Sequence, residues 1–209
     1  MTRPSRNQDK LLIEAGKKLL PELGVSGMSI QRVADEAGVN LGMFSYHFKT
    51  KANFIQQVLR SIREDAQGAV GFTFSDTDTS IEKFQKFLFF MAKTFRDQRK
   101  LVLSLFKDIL NQDPDVSEMV LKKSNDQLEV LRQLIIECQK DGYIDEKTPV
   151  RQIELFCNSA MKGPIVMVAA MERIQQDNLD DLAPYEAEVL TDSDISQLVS
   201  MILRGIRLK

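Results

Sequence analysis

Apolar positions recur three and four residues apart along almost the whole chain, and no run of strict alternation suggests a strand. The pattern predicts an all-α protein. Over residues 8–23 the stripe is Leu12, Ala15, Gly16, Leu19, Leu20 and Leu23, with Gly24 as a stop signal just beyond it. Pro21 falls late in this helix and removes one of its backbone hydrogen bonds. Two very short segments follow. Ser29 can N-cap a helix through Ala37, with Val33 and Ala34 facing inward. Gly38 permits a left-handed turn, and Asn40 can cap a second segment from 41 to 47. Thr50 then heads a longer helix over 51–69, whose stripe is Phe54, Val58, Leu59 and Ile62.

Residues 71–80 form a polar break, read as a loop or a loosened helix end. Longer helical patterns cover 81–96, 99–111, 115–141, 150–174 and 192–206, punctuated at 111–114 and 141–149. Residues 175–190 are acidic, contain Pro184 and read as a long connection. No internal repeat and no low-complexity tract is present. The expected organisation is an N-terminal three-helix domain over 1–66, with a helix-turn-helix at about 29–48, and a helical bundle over 67–209.

Composition narrows the class. The chain has 209 residues, enough for a substantial core, with 43% apolar and 28% charged residues. No apolar run approaches the roughly 20 residues that span a bilayer. The basic start, Arg3 and Arg6, is not followed by the apolar stretch of a signal peptide. Cys138 and Cys157 lie far apart and read as reduced, buried thiols. These features predict a cytoplasmic protein that needs no membrane, metal or cofactor. A Gly-rich phosphate loop, a nucleophile motif and a metal-ligand cluster are all missing from the sequence, which argues against an enzyme. The net charge of −2 hides an asymmetry: residues 1–63 carry a balance of +5 and the rest a balance of −7. A basic head on an acidic body implies that the head meets a polyanion.

The stretch from Gly24 to Lys51 gives that polyanion a chemistry. Two capped short helices joined at a glycine turn make a helix-turn-helix. Ala34 and Ala37 are small enough for a close crossing, and Val39 and Phe44 plug the corner. The second helix can then enter a DNA major groove. The anchors are Leu12-Ile13, Ala15-Gly16, Leu19-Leu20 and Gly24, then Ser29, Val33-Ala34, Ala37-Gly38-Val39-Asn40, Gly42, Tyr46-His47-Phe48 and Lys51. In this frame the first 65 or so residues resemble the TetR family of bacterial repressors.

The resemblance implies roles. Ser29 would offer its hydroxyl or backbone N–H to a phosphate. Gln31 and Arg32 sit on the first turn of their helix, and Gln31 matches a place that reaches a base edge, where glutamine suits adenine. Leu41, Gly42, Met43 and Ser45 lie on the groove face of the recognition helix. Leu41 and Met43 either touch thymine methyls or pack inward, and Gly42 allows close approach. Tyr46 and His47, the chain's one histidine, would hydrogen-bond phosphates, and Lys51 would neutralise one. Arg3 and Arg6 would form an arm near the DNA. The sequence departs from the family pattern at Leu41 and Met43, where polar or small residues are usual, and at Ser45, where an aromatic is common.

In the body, Ile153, Phe156, Ala160 and Met167 on one helix and Ile195, Leu198, Val199 and Ile202 on the last form stripes. In the resembling family the final two helices pair with their copies, so these residues are expected at a homodimer interface. Residues 81–110 are rich in large apolar groups. The resemblance implies a pocket for a small-molecule effector, with Phe84, Phe87, Met91, Phe106, Met161 and Met167 as candidate lining, although such stripes also build plain cores. Gly163-Pro164 predicts a helix kink that shapes either a cavity or the interface. The function implied is a transcription regulator released from a palindromic operator by an apolar effector. The alternative is a DNA-binding protein whose body holds a protein partner.

Overall fold

The computed structural model describes residues 7–70, 73–111, 125–175 and 190–207. Nine helices run through these residues: α1 (Gln8–Gly27), α2 (Ile30–Ala37), α3 (Leu41–Phe48), α4 (Lys51–Val70), α5 (Ser80–Asp97), α6 (Arg99–Leu110), α7 (Asn125–Lys140), α8 (Val150–Gln175) and α9 (Asp192–Ile206). Among the described residues no strand forms, apart from one antiparallel bridge between Ile144 and Arg207. The all-α expectation holds. The arm at Arg3 and Arg6, the start of the helix expected from 115 and most of the 175–190 connection lie outside the described residues.

The chain divides into two compact units. The first, the head, takes residues 7–70 together with 100–111, and the second, the body, takes 73–99, 125–175 and 190–207. Most of α6 therefore belongs with the head, which a division at 66/67 did not anticipate.

The head is built around fully buried side chains: Leu12, Leu20, Val25, Val33, Phe44, Phe48, Phe54, Ile55 and Val58. Phe44, Phe48 and Phe54 form a tilted cluster with ring centroids 4.9–5.4 Å apart. Burying each ring stabilises the head by about 2–3 kcal/mol, with roughly 1 kcal/mol more for each ring pair. α1 does break at Gly24, which adopts φ 69° and ψ −178°, and one further turn then continues to Gly27. That break frees backbone groups, and α6 meets them with two residues one helical turn apart. The Ser104 hydroxyl lies 3.3 Å from the Leu20 carbonyl and 3.0 Å from its own Leu101 carbonyl. The Asp108 carboxylate, 3% exposed, accepts from Val25 N–H at 2.6 Å and from the Ser26 hydroxyl at 2.7 Å. A Cβ on Gly24 would sit 2.6 Å from Asp108 Oδ2, so the tie requires glycine there twice over.

In the body, α5 packs against α7, α8 and α9. Its buried face is Ile81, Phe84, Phe87, Leu88 and Met91; α7 buries Leu131 and Ile135, and α8 buries Cys157, Met161 and Ile165. Thr79 and Thr191 head α5 and α9 with reciprocal capping boxes to Glu82 and Asp194. Cys138 and Cys157 are free and buried, and burial pushes their thiols up to about 11 and about 12, which makes them poor nucleophiles. α8 corrects one expectation from the sequence. Its Val150–Met171 stretch is long and apolar enough to cross a bilayer, with a mean hydropathy of 1.2. It nonetheless carries Glu154 and Lys162 and packs against α5 and α7.

Candidate nucleic-acid interface

Local signals in the sequence set the geometry of α2 and α3. The Ser29 hydroxyl accepts from Arg32 N–H at 3.2 Å and starts α2. Gly38, at φ 63° and ψ 31°, ends it, and its N–H returns to the carbonyls of Ala34 and Asp35. Asn40 Oδ1 accepts from Gly42 N–H at 2.8 Å and starts α3. Phe44 and Phe48 turn into the core, which forces the opposite side of α3 outward. On that side Tyr46 is 68% exposed, Gly42 and Ser45 are exposed and Met43 is half-buried; Leu41, at the helix start in register with Phe44 and Phe48, is still 43% exposed.

One feature of this region was invisible to pattern reading. Lys49 has φ 63° and ψ −47°, and Thr50 N–H bonds back to the Phe48 carbonyl at 2.7 Å. This γ-turn reverses the chain sharply between α3 and α4. Asn53 Nδ2 donates to the same carbonyl at 3.0 Å and holds the turn. Lys49 is thereby exposed close to Lys51, which is half-buried at the head of α4.

Some of the head's cations are paired. Lys17 pairs with Glu14 and Asp65, Lys18 with Glu36, and Arg60 with Glu64. Arg32, Lys49 and Lys51, which flank α3, have no ion-pair partner among the described residues. Gln31 and Arg32 are exposed on α2, and Gln31 Nε2 donates to Asp35 Oδ1 at 2.7 Å. Ser29 uses its oxygen as the cap and keeps its O–H proton for another acceptor. Thus Ser29, Gln31, Arg32, Leu41, Gly42, Met43, Ser45, Tyr46 and Lys51 come together around α2, α3 and the start of α4. His47 is half-buried, its ring beside those of Tyr46 and Phe48, and its Nε2 is buried without a hydrogen-bond partner among the described residues.

Residues 12–58, from α1 into α4, match the family model described as bacterial regulatory proteins, tetR family. Over these residues the chain is similar to the TetR family of bacterial regulators. It is 25% identical over 183 residues to the HTH-type transcriptional repressor DhaR of Mycobacterium sp. (strain GP1), covering 87% of this chain and 91% of that one. Two solved structures share its fold. A transcriptional regulator from Rhodococcus sp. Rha1 matches with a TM-score of 0.62 at 17% identity, over 96% of this chain and 98% of the other. HlyIIR, a hemolysin II transcriptional regulator, matches with a TM-score of 0.60 at 19% identity, over 97% and 98%. The chain is a DNA-binding transcriptional regulator and not an enzyme.

The body corrects several expectations. Ile153, Ile195, Val199 and Ile202 are at most 3% exposed and serve the unit's own core, so they are not free to meet a partner. Ala160 and Leu198 are half-buried. The apolar groups that do face outward on α8 are Leu155, Phe156, Val166 and Met167, with Met201 on α9. The reason is periodicity: α8 carries two apolar stripes on different faces, and three-to-four spacing alone does not say which one turns inward. Phe84, Phe87, Met91 and Met161 are buried in the body core. Phe106 is 42% exposed and belongs to the head, and Met167 is 53% exposed, so neither lies in that buried cluster.

Proposed function

We infer that the protein represses transcription as a homodimer on a palindromic operator and leaves it when a small, apolar effector occupies the body. The observation that carries the DNA-binding half is the cluster of cations around the outward-facing recognition helix. Arg32, Lys49 and Lys51 flank α3 and have no carboxylate partner among the described residues. In the bound state these three cations and the Ser29 and Tyr46 hydroxyls hold phosphates, with His47 acting through Nδ1. Gln31 and the exposed side of α3 face base edges. One eight-residue helix covers only a few base pairs, so a two-fold pair of heads is needed for a full site. Leu155, Phe156 and Met167 supply an apolar face on α8 for that pairing. The Phe- and Met-rich interior of the body fits an apolar effector. Such a molecule acts by binding the DNA-incompetent state better than the competent one.

The test is titration of the full chain into genomic fragments across a salt series. Binding should be site-specific, and log K should fall linearly with log salt. Lys49→Gln and Lys51→Gln should each weaken all sequences alike and lower the slope by about 1. A lack of preference for any fragment rejects the reading. Leu155→Glu combined with Met167→Glu should yield a folded monomer in sedimentation.

A further inference from the structure

The recognition helix lacks the side chains that read purines in pairs. Its eight residues, LGMFSYHF, include no arginine, lysine, asparagine, glutamine or carboxylate. In the major groove, guanine is commonly read by two-pronged contacts from arginine or lysine, and adenine by asparagine or glutamine. Off the helix, Asn40 Oδ1 caps α3 through Gly42 N–H, which leaves Gln31 of α2, bonded through Nε2 to exposed Asp35, as the amide available for a base edge. Ser45 and Tyr46 each bring one hydroxyl, enough for a single hydrogen bond.

The leading turn of α3 instead presents carbon. Leu41 is its first residue; it follows the register of the buried Phe44 and Phe48 but, at the end of the helix, stays 43% exposed. Met43 is half-buried two residues on, and Gly42 between them has no side chain to screen either one. The N-terminal residues of a recognition helix are those that meet base edges. The apolar group that an unmodified base edge offers in this groove is the C5 methyl of thymine.

We propose that Leu41, supported by Met43, reads thymine methyl groups, so that the operator half-site is fixed at those positions by a methyl contact and not by a hydrogen-bond pattern. The proposal rests on the DNA-binding reading above and adds the chemistry of the site that is recognised. The same contact would accept 5-methylcytosine, which carries a methyl at the equivalent ring position.

The experiment starts from a random-sequence duplex pool selected with the full-length protein. In the enriched site, each thymine is replaced in turn by deoxyuridine, which removes the methyl and leaves the pairing and the O4 acceptor intact. At one or more half-site positions the replacement should raise Kd about fourfold, the worth of one buried methyl group. Leu41→Ala should bind the thymine and uracil forms alike there. The side chain is exposed, so a thermal melt should match the parent. Enrichment of a site in which no uracil replacement changes Kd overturns the methyl proposal and leaves DNA recognition standing. So does a uracil effect that persists unchanged in Leu41→Ala, since groove shape would then be its source. If no sequence is enriched, the DNA-binding reading falls, and this proposal with it.

Discussion

In the head, a carboxylate that is 3% exposed accepts two hydrogen bonds from residues more than 80 positions earlier in the chain. In the body, the ion pairs that tie segments together each have a solvent-exposed member: Asp192 with Arg96 and Lys93, and Arg132 with Glu154. A buried hydrogen bond is directional and costly to leave unmade, so it fixes an angle. Apolar contact decides which faces meet but tolerates sliding. The head is therefore set up to hold α6 to the break in α1 in one geometry, whereas the body relies on a core of Phe, Leu, Ile and Met. A unit that must present a helix to a groove needs the first kind of order, and a unit that must accommodate a ligand can use the second.

The sharpest way to break this contrast is Gly24→Ala. The residue sits at φ 69° and ψ −178°, a region open essentially to glycine alone, and its new Cβ would displace the Asp108 carboxylate. Backbone strain and the lost tie together should cost about 4 kcal/mol. Hydrogen exchange on full-length protein should show α1 and α6 opening sooner while body peptides keep their rates. Uniform loss of protection across both units would mean that the tie does not belong to the head alone. Next in size, Asp108→Ala leaves the Val25 N–H without its acceptor and should cost about 3 kcal/mol. Asp108→Asn retains one oxygen for that N–H and should cost roughly half as much. If Asn and Ala behave alike, the geometry of the acceptor is not what matters.

The corresponding change in the body should be milder. Arg96 bridges Asp192 and the Leu190 carbonyl, with its side chain 19% exposed and Asp192 60% exposed. Arg96→Ala should lower the urea midpoint by an amount equivalent to about 1 kcal/mol or less, and high salt should erase much of the difference. A loss as large as that of Asp108→Ala would remove the contrast between the units.

The head was largely legible in the sequence because its signals are local. Ser29, Gly38 and Asn40 each act on backbone within four residues, and the capped helices appeared where those residues placed them. What escaped was non-local. Asp108 sits in an apolar run of α6, and nothing near it in sequence announces that its partner is the broken end of α1. The strain at Lys49 escaped too, because its γ-turn depends on how α3 and α4 pack. The body was legible as helices but not as faces. Ile153 and Phe156 share one spacing rule, yet one is 2% exposed and the other 46%.

The smallest effect is an acid-sensitive one at the surface of the body. Glu82 accepts from the Thr79 backbone N–H at 2.8 Å and from its hydroxyl at 2.7 Å. These bonds favour the charged carboxylate and hold it below its ordinary value of 4.5. Asp78 next to it is lowered as well, first by the Lys86 ammonium and then by Ser75 N–H. A carboxyl lowered in the folded state contributes its stability above the unfolded value and loses it as pH falls through the folded one. The first turn of α5 should therefore fray as the solution is taken from pH 5 into the carboxylate range, with amide exchange there rising beyond the intrinsic pH trend. Glu82 is exposed, and Asp78 is paired with an exposed Lys86, so the midpoint of global unfolding should barely respond. Thr79→Ala removes the donor hydroxyl and should make the same amides exchange faster at neutral pH, with less left to lose in acid. If acid instead opens the whole of α5 at once, the capping box is tied to the core, and the view of the body's polar contacts as surface ties fails.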